Sequence, residues 1–216
     1  MSEGKIFVVG DVHGCLEMLK RLIDKIEWNQ SNDRLIFIGD YIDRGQDSKG
    51  VVDFILKLKK NSPLIQCLIG NHEQMFLDYL SGVDSQSFIL NGGLPTLRGY
   101  NEERLRSEDP LIPSAHLDFF SSLLPMIELE QCYIVHAGFR PNIKIEDQDI
   151  IDMIWIRDEF IYSDYDFGEV VIFGHTPFNS PIIMKNKIGI DTGAVYGNCL
   201  TCLELPEKKF HSVKPE

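Results

Sequence analysis

Five side chains that can bind a metal ion each follow, within two residues, an apolar run of strand length in this 216-residue chain. They are Asp11, Asp40, Asn71, His136 and His175. Such oxygen and imidazole nitrogen donors suit hard and borderline divalent metals. One aspartate after a strand is more often a turn former or a helix cap, but five donors on one sheet edge favour a metal site.

The motif at residues 39–45 adds groups that suit phosphate chemistry. It follows the apolar run Leu35-Ile36-Phe37-Ile38 and contains Asp40, Asp43 and Arg44. Carboxylates this close together repel one another unless a cation lies among them. A guanidinium matches a planar pair of phosphate oxygens, so Arg44 beside Asp40 is more informative than a lysine would be at this position.

Alternating strands and helices are predicted to position these residues. Three successive strand-turn-helix units imply a mostly parallel sheet, whose ligand sites lie beyond the carboxyl ends of its strands. Residues 83–113 are interpreted as loops with a short helix or two that form a cap beside the site. Ser114 is predicted to cap a helix, and the rest of the second half to be largely β. The predicted strands are 6–9, 35–38, 64–69, 133–135, 170–173, 187–190 and 200–205, and the predicted helices of the first half are 15–28, 47–61 and 76–80.

Composition indicates one globular domain, residues 1–216, with 44% apolar and 25% charged residues. No apolar stretch is long enough to span a bilayer, and the N-terminus lacks the pattern of a secretory signal, so we expect a cytoplasmic protein without a membrane partner. We also expect a monomer. A net charge of −12 argues against nucleic acid as a partner. The five cysteines are expected to be reduced thiols, and a redox or zinc role for Cys199 and Cys202 is the weaker alternative.

The ordered motifs resemble those of the phosphoprotein phosphatase branch of the calcineurin-like metallophosphoesterases. Two further motifs resemble the compact bacterial and bacteriophage lambda type of that family: Asn91-Gly92-Gly93 with Thr96-Leu97, and Asp191-Thr192-Gly193-Ala194. An ordered set is far more specific than any single short motif. The main motifs are Gly10-Asp11-Val12-His13-Gly14, Gly39-Asp40-Tyr41-Ile42-Asp43-Arg44-Gly45, Gly70-Asn71-His72-Glu73, His136-Ala137-Gly138 and Gly174-His175.

The resemblance implies an α/β fold in which two mixed β-sheets pack as a sandwich flanked by helices. It also implies two divalent metal ions, with Mn²⁺ expected and Fe or Zn²⁺ compatible with the same donors. The first ion would be held by Asp11, His13 and Asp40. The second would be held by the bridging Asp40 together with Asn71, His136 and His175.

The resemblance further assigns roles in phosphate binding and proton transfer. Arg44, Asn71 and Arg157 would bind the phosphate, and His72 paired with Asp43 would protonate the leaving oxygen. Gly39 would end its strand without filling the space of the site.

Arg157 and the acidic residues around it leave two questions open. Arg157 could instead be a structural residue that pairs with Asp158 or Glu159. The acidic runs 146–149 and 158–166 are either solvated loops or a border of the cleft that favours basic phosphorylated sites.

The expected activity is hydrolysis of a phosphomonoester, with a phosphorylated protein or small phosphoester as substrate. A serine/threonine protein phosphatase acting by direct attack of hydroxide bound between the two metals is favoured. A symmetrical dinucleoside tetraphosphatase is the alternative, but its second motif usually lacks the sequence Asp43-Arg44-Gly45. A catalytically silent binding protein is a weaker alternative. A dehydrogenase-type nucleotide module is weaker still, because no G-x-G-x-x-G motif or Walker loop occurs.

Overall fold

Two five-stranded β-sheets lie at the centre of this computed structural model, which describes residues 4–102, 104, 106 and 108–216. In chain order the strands are β1 (Ile6–Val9), β2 (Arg34–Phe37), β3 (Ile65–Cys67), β4 (Met126–Leu129), β5 (Cys132–Val135), β6 (Val170–Phe173), β7 (Ile182–Ile183), β8 (Lys187–Gly189), β9 (Leu200–Leu205) and β10 (Lys209–Val213). The helices are α1 (Leu16–Lys25), α2 (Ser48–Asn61), α3 (Asn71–Ser81), α4 (Gln86–Leu90), α5 (Leu94–Glu102), α6 (Ser114–Ser121), α7 (Ile150–Trp155) and α8 (Asp158–Ile161).

Both sheets are mixed, as the resemblance implies. The first has the strand order β10-β9-β1-β2-β3, and the second has the order β4-β5-β6-β8-β7. Strands β1, β2 and β3 run parallel, and so do β5, β6 and β8. Their carboxyl ends therefore point to one edge of each sheet, where the connections to the helices begin.

Successive side chains of a buried strand point to opposite faces of its sheet, so they alternate between the space between the two sheets and the layer of helices. Val8 of β1 packs between the two sheets, whereas Phe7 and Val9 face the helices on the outer side of the first sheet. The second sheet packs its own outer face against α7 and α8 through residues such as Ile154 and Phe160. The layers are thus helices, sheet, sheet and helices, which confirms the predicted sandwich.

Several predicted helix boundaries need correction. Helix α3 begins at Asn71, so the motif Gly70-Asn71-His72-Glu73 supplies its first turn rather than closing the preceding strand. Ser114 does not cap its helix, because Pro113 occupies the N-cap position and no side chain bonds the first turn. Asp47 does cap α2, where its carboxylate accepts the backbone N–H of Gly50 at 2.7 Å.

The second half contains more helix than predicted. Helices α7 and α8 lie between β5 and β6 and are too short, at 6 and 4 residues, to give a clear helical period. In the cap region, α4 and α5 agree with the predicted short helices, and residues 103, 105 and 107 of that region lie outside the described residues.

The described part of the chain bears on the predicted lack of a membrane-spanning segment and on the predicted reduced cysteines. None of its helices combines the length and the apolar character needed to cross a membrane. All five cysteines are free thiols.

Candidate active site

The predicted donors come from two sheets rather than from one sheet edge, and they meet where the carboxyl ends of the parallel strands of both sheets adjoin. The turn after β1 is fixed to the turn after β2 because Val12 and His13 donate their N–H groups to the carbonyl of Asp40, at 3.1 and 2.8 Å. Helix α3 starts beside them with Asn71, and His136 and His175 follow β5 and β6. All six predicted metal ligands are buried: Asp11, His13, Asp40, Asn71, His136 and His175.

Unusual backbone conformations concentrate at this edge. Seven non-glycine residues of the described chain have positive φ, and five of them belong to the predicted site. Each such residue costs on the order of 1–3 kcal/mol, and such strain is typical of functional sites, where the surrounding structure compensates it. The five are His13, Asp40, Asp43, Arg44 and His175, with φ of 44°, 51°, 73°, 65° and 62°.

Two backbone carbonyls orient two of the imidazoles. His13 Nδ1 lies 2.8 Å from the carbonyl of Ile42, and His136 Nδ1 lies 2.9 Å from the carbonyl of Ile38. A carbonyl only accepts, so each Nδ1 carries the proton and each Nε2 presents a lone pair. This arrangement is usual for histidines that bind metal through Nε2.

Asp40 lies between these two lone pairs. Its Oδ2 is 3.3 Å from His13 Nε2, and its Oδ1 is 3.4 Å from His136 Nε2. Asn71 Oδ1 lies 3.1 Å from the same His136 nitrogen, so two lone-pair atoms face a common space. Asp40 therefore has the position that a bridging ligand requires.

Donor atoms converge in two groups that share Asp40. Within each group the ligand atoms lie within 4.8 Å of one another. One group joins Asp40 to His136 and His175, as predicted. The other joins it to His13 and His72, whereas the predicted ligand Asp11 is turned toward His175, whose backbone N–H it accepts at 3.0 Å.

Burial and charge shift the pKa values of these donors. Burial lowers the pKa of His175 to about 2 and also lowers that of His136, which keeps both in the neutral form that binds metal. Burial, with the charges of Asp191 and Asp40, raises the pKa of Asp11. Burial also disfavours the ionised form of Asp40, but the neighbouring histidines outweigh it and hold its pKa well below the usual range.

These residues fit a pair of divalent cations. Oxygen and imidazole donors are of the right chemical type, and buried carboxylates of like charge need a counter-charge. The Nε2 atoms of His72 and His175 are buried without a hydrogen-bond partner, which is costly unless another group satisfies them. An ion among these donors would supply the missing partner for His175 and neutralise the carboxylates.

His72 and Asp43 form a buried pair beside the metal donors. His72 Nδ1 lies 2.6 Å from Asp43 Oδ2, and both side chains are fully buried. The carboxylate accepts the Nδ1 proton, so His72 Nε2 points away from Asp43. The His72 ring also lies edge-on to that of His13, with centroids 4.7 Å apart. His72 is thus held beside the donors His13 and Asp40.

The two predicted phosphate-binding arginines have different surroundings. Arg44 reaches into the centre, where its Nη1 donates to His13 Nε2 at 2.8 Å. Arg157 is exposed and donates to the carbonyl of His175 at 3.1 Å and to Thr176 Oγ1 at 3.3 Å. These contacts place Arg157 at the edge of the metal donors and differ from the predicted alternative of pairing with Asp158 or Glu159.

The two acidic runs, 146–149 and 158–166, have different surroundings. Asp158 and Glu159 line a groove of about 370 Å³ together with Trp155 and Arg157, so these two residues of the run lie beside the two residues that contact His175. Asp149, in contrast, caps α7 by accepting the N–H of Ile151 at 2.8 Å, which is a structural role.

Glu73 is a site residue to which the sequence reasoning gave no role. It is fully buried, and its Oε2 accepts the N–H groups of Asp40 at 2.8 Å and Gly70 at 3.1 Å. Its Oε1 accepts the N–H of Tyr41 at 2.9 Å. Burial, together with the charge of Asp40, raises the pKa of Glu73 to about 8. Glu73 therefore fixes the backbone around Asp40. Its presence in the motif Gly70-Asn71-His72-Glu73 was the one feature of the sequence that could have indicated a role in the site.

Two hydroxyl groups and two aromatic rings were also missed. Thr96 and Ser48 contact Asp43 inside the site. The Trp155 ring lies edge-on to that of His175 with centroids 5.9 Å apart, and the Arg44 guanidinium lies 5.8 Å from the centroid of Tyr196. Both rings are partly open to solvent, at 38% and 63% exposure. Thr96 stands in a motif quoted for the family resemblance, but that motif names no partner for it, and the sequence gives no sign of the contacts of the other three residues.

Replacement of Gly39 by alanine is expected to destabilise the protein. Gly39 has φ of 111°, and an added Cβ would lie 2.7 Å from the backbone nitrogen of Gly70 and 2.9 Å from His136 Nδ1. We expect a loss of roughly 1–3 kcal/mol in the free energy of unfolding, measured by urea denaturation of the metal-free protein. Gly99→Ala is the control, since this helical position has open space and should be stabilised by about 0.5–1 kcal/mol. Equal stability of Gly39→Ala and wild type would contradict the expected clash.

The family model for calcineurin-like phosphoesterases matches residues 4–197, a range that contains every donor described above. The chain belongs to the calcineurin-like phosphoesterase family. This family uses a dinuclear divalent metal centre, and the two donor groups that share Asp40 agree with it. The protein is accordingly a metal-dependent phosphoesterase.

Curated relatives within the family have two different activities in their names. The chain is 32% identical over 206 residues to serine/threonine-protein phosphatase 1 of Salmonella typhimurium, covering 91% of the chain and 89% of that relative. It is 28% identical over 234 residues to the asymmetrical bis(5'-nucleosyl)-tetraphosphatase PrpE of Oceanobacillus iheyensis, covering 97% and 92%. The symmetrical tetraphosphatase considered from the sequence corresponds to neither name.

Solved structures share the fold. A putative diadenosine tetraphosphatase is similar with a TM-score of 0.77 at 22% identity, covering 100% of this chain and 95% of the other. A cold-active protein-tyrosine phosphatase of a psychrophilic Shewanella species is similar with a TM-score of 0.75 at 16% identity, covering 99% and 80%. At these identities the likeness supports the architecture and leaves the substrate open.

Proposed function

We propose that this protein is a phosphomonoester hydrolase that uses two divalent metal ions and acts on phosphoserine or phosphothreonine in proteins. The observation that carries the proposal is the pair of buried donor groups that share Asp40, with the Arg44 guanidinium directed into them. Carboxylate, imidazole and guanidinium groups in this arrangement suit a phosphoryl group between two cations.

Six residues would hold the ions in this proposal. Asp11, His13 and Asp40 would hold the first, and Asp40 would share the second with Asn71, His136 and His175. Bound ions of this kind lower the pKa of water and neutralise charge on the transferred phosphoryl group. Mn²⁺ is the proposed occupant, and the donor set is equally compatible with Fe or Zn²⁺.

The remaining site residues would bind and orient the substrate and supply a proton. Arg44, with its planar set of donors, would bind two phosphate oxygens, and Arg157 would bind from the side of His175. Asn71 would donate its amide N–H to a phosphate oxygen. As the ester P–O bond breaks, the leaving oxygen would take a proton from His72 Nε2, while Asp43 keeps the imidazole oriented.

Protein substrates are favoured by the relationship to serine/threonine-protein phosphatase 1, the stronger of the two identities given above. Asp158 in the groove beside Arg157 would repel a polyphosphate chain more than a peptide with basic flanks, whereas the charge of Glu159 is paired with Arg140 at 2.8 Å. We further propose that the chain is a single domain and that it functions as a cytoplasmic monomer.

An asymmetrical dinucleoside tetraphosphatase is the second candidate. The relative PrpE covers nearly the whole chain, and the exposed rings of Trp155 and Tyr196 lie beside the two arginines, where nucleobases could stack. The presence of Asp43-Arg44-Gly45 argues only against the symmetrical enzymes, so it does not decide between these two candidates.

Direct comparison of two substrates tests the choice. We expect kcat/KM with Mn²⁺ to be higher for a phosphoserine peptide than for diadenosine tetraphosphate by at least about tenfold. A preference of similar size for the dinucleotide, with a nucleoside triphosphate and a nucleoside monophosphate as products, would establish the second candidate instead. Lack of activity on both substrates with every candidate metal would support a silent binding protein.

Alanine substitutions of the two exposed aromatic residues provide an independent check. If peptides are the substrates, Trp155→Ala and Tyr196→Ala should leave KM for diadenosine tetraphosphate within about twofold, because no base stacks on either ring. Base stacking on an aromatic side chain is worth about 1–3 kcal/mol, so a rise in that KM of roughly tenfold would favour the dinucleotide. Tyr162→Ala, which removes a ring that is 79% exposed and lies outside the described contacts of the site, is the matched control.

A further inference from the structure

A threonine on the cap helix α5 contacts the carboxylate that orients His72. Thr96 Oγ1 lies 2.6 Å from Asp43 Oδ1, while the other oxygen of Asp43 lies 2.6 Å from His72 Nδ1. Thr96, Asp43 and His72 are all fully buried. A continuous path of hydrogen bonds therefore joins α5 to the imidazole.

The direction of the first hydrogen bond follows from the chemistry of its two groups. An ionised carboxylate only accepts, so the single proton of the Thr96 hydroxyl is donated to Asp43. The Asp43 backbone N–H contacts the same hydroxyl oxygen at 3.0 Å and Ser48 Oγ at 2.9 Å. Both the backbone and the side chain of Asp43 are thus held by hydroxyl groups from other elements.

These hydrogen bonds stabilise Asp43 in a backbone conformation that is energetically unfavourable for a residue other than glycine. Asp43 has φ of 73°, and the next residue, Arg44, has φ of 65°. The backbone N–H of Arg44 is bound as well, by the carbonyl of Gly92 at 2.9 Å. The segment 92–96 therefore fixes both residues of the turn at a point where the chain alone would not adopt this conformation.

We propose that Thr96 is a positioning residue for proton transfer: its hydroxyl fixes the Asp43 carboxylate, which in turn aims the His72 imidazole at the leaving oxygen. This inference rests on the proposed acid role of His72. A hydrogen bond to a charged group in a buried network is among the stronger ones, so its loss should disturb the geometry of the pair.

The test compares Thr96→Val and Thr96→Ser across aryl phosphates of increasing leaving-group basicity. A poor leaving group needs the proton, whereas a good one departs without it. Thr96→Val should lower kcat for phenyl phosphate by roughly 10–100-fold, lower kcat for 2,4-dinitrophenyl phosphate by less than about threefold, and leave KM nearly unchanged. Thr96→Ser keeps the hydroxyl and should restore most of the activity.

A spectroscopic readout makes the test independent of turnover. In protein loaded with Zn²⁺, which is diamagnetic and does not broaden nearby signals as Mn²⁺ would, the proton between His72 Nδ1 and Asp43 should give a low-field NMR signal in wild type. We expect this signal to move upfield in Thr96→Val and to return in Thr96→Ser. Thr201→Val is the matched control: Thr201 is another fully buried threonine, bonded to Thr192 at 2.7 Å and remote from Asp43 in its contacts. It should change neither the signal nor the leaving-group dependence.

The outcomes separate this inference from the proposed function. A leaving-group-dependent loss in His72→Asn without one in Thr96→Val would overturn the role of Thr96 and leave the acid in place. Equal losses of kcat for all leaving groups in a folded Thr96→Val protein would show a general structural role and also overturn it. If His72→Asn itself shows no dependence on the leaving group, the acid assignment fails, and the role of Thr96 fails with it.

Discussion

Replacement of His72 by asparagine is expected to lower kcat by roughly 10²–10⁴-fold, the usual contribution of a positioned general acid. The physical reason is that His72 Nδ1 is bound to Asp43 at 2.6 Å, which leaves Nε2 as the proton donor toward the leaving oxygen. Asparagine retains a polar side chain but has no proton that it can transfer at neutral pH. Metal content, measured by elemental analysis after removal of free ions, should stay the same.

His211→Asn is the matched control for this substitution. His211 Nε2 lies 2.6 Å from Glu204 Oε2, so it has the same kind of carboxylate partner at the same distance, on the edge strand β10 and outside the two donor groups. Its replacement should change stability without changing kcat by more than about twofold. Wild-type turnover in His72→Asn would show that another group, or solvent, protonates the leaving oxygen.

Asp40→Asn is expected to abolish most of the activity together with the stabilisation that metal provides. Asp40 faces both His13 and His136, so its replacement removes charge from both proposed ion sites at once. Metal ions supply several kcal/mol of transition-state stabilisation, and we therefore expect kcat/KM to fall roughly 10³-fold or more. Mn²⁺ should raise the Tm of wild type in a concentration-dependent way, because it binds the folded state, and should have little effect on the variant.

Asp33→Asn separates loss of metal binding from loss of a buried carboxylate. Asp33 is buried and accepts the N–H groups of Lys5 and Asn29 at 2.9 and 2.8 Å, outside the site. This variant should be less stable than wild type but should keep the full rise in Tm with Mn²⁺. A metal-dependent rise in Asp40→Asn as large as in wild type would contradict the bridging role.

The positions of the donors were predictable because parallel strands impose a simple rule. Residues that follow such strands converge at the carboxyl edge of their own sheet, so the side chains after β1 and β2 had to lie near one another, and so did those after β5 and β6. The two sets meet only because the two sheets pack face to face, which the strand rule alone does not give. The short strand β3 and the early start of α3 moved Asn71 from a predicted turn into a helix without moving it from this edge. The strand assignments alone predicted a mostly parallel sheet, and the sandwich of two mixed sheets came from the family resemblance.

Residues that support the donors were not predictable in this way. Thr96 lies 53 positions from Asp43, and Glu73 lies 33 positions from Asp40. Their contacts depend on how the helices pack, which no local pattern of spacing describes. The helices α7 and α8 escaped prediction for a different reason, because segments of 6 and 4 residues contain too few turns to show a period.

The many contacts of Asp40 limit which substitutions this protein can tolerate. Its carbonyl accepts two N–H groups, its own N–H is bound by Glu73, and its carboxylate faces two imidazoles. Architecture and reactivity therefore depend on the same residue, and the inner edge tolerates little variation. Trp155 and Tyr196 each touch the site through one described ring contact and are partly exposed, at 38% and 63%. We therefore expect substrate preference to change through substitutions near Trp155 and Tyr196, while the residues around Asp40 stay the same.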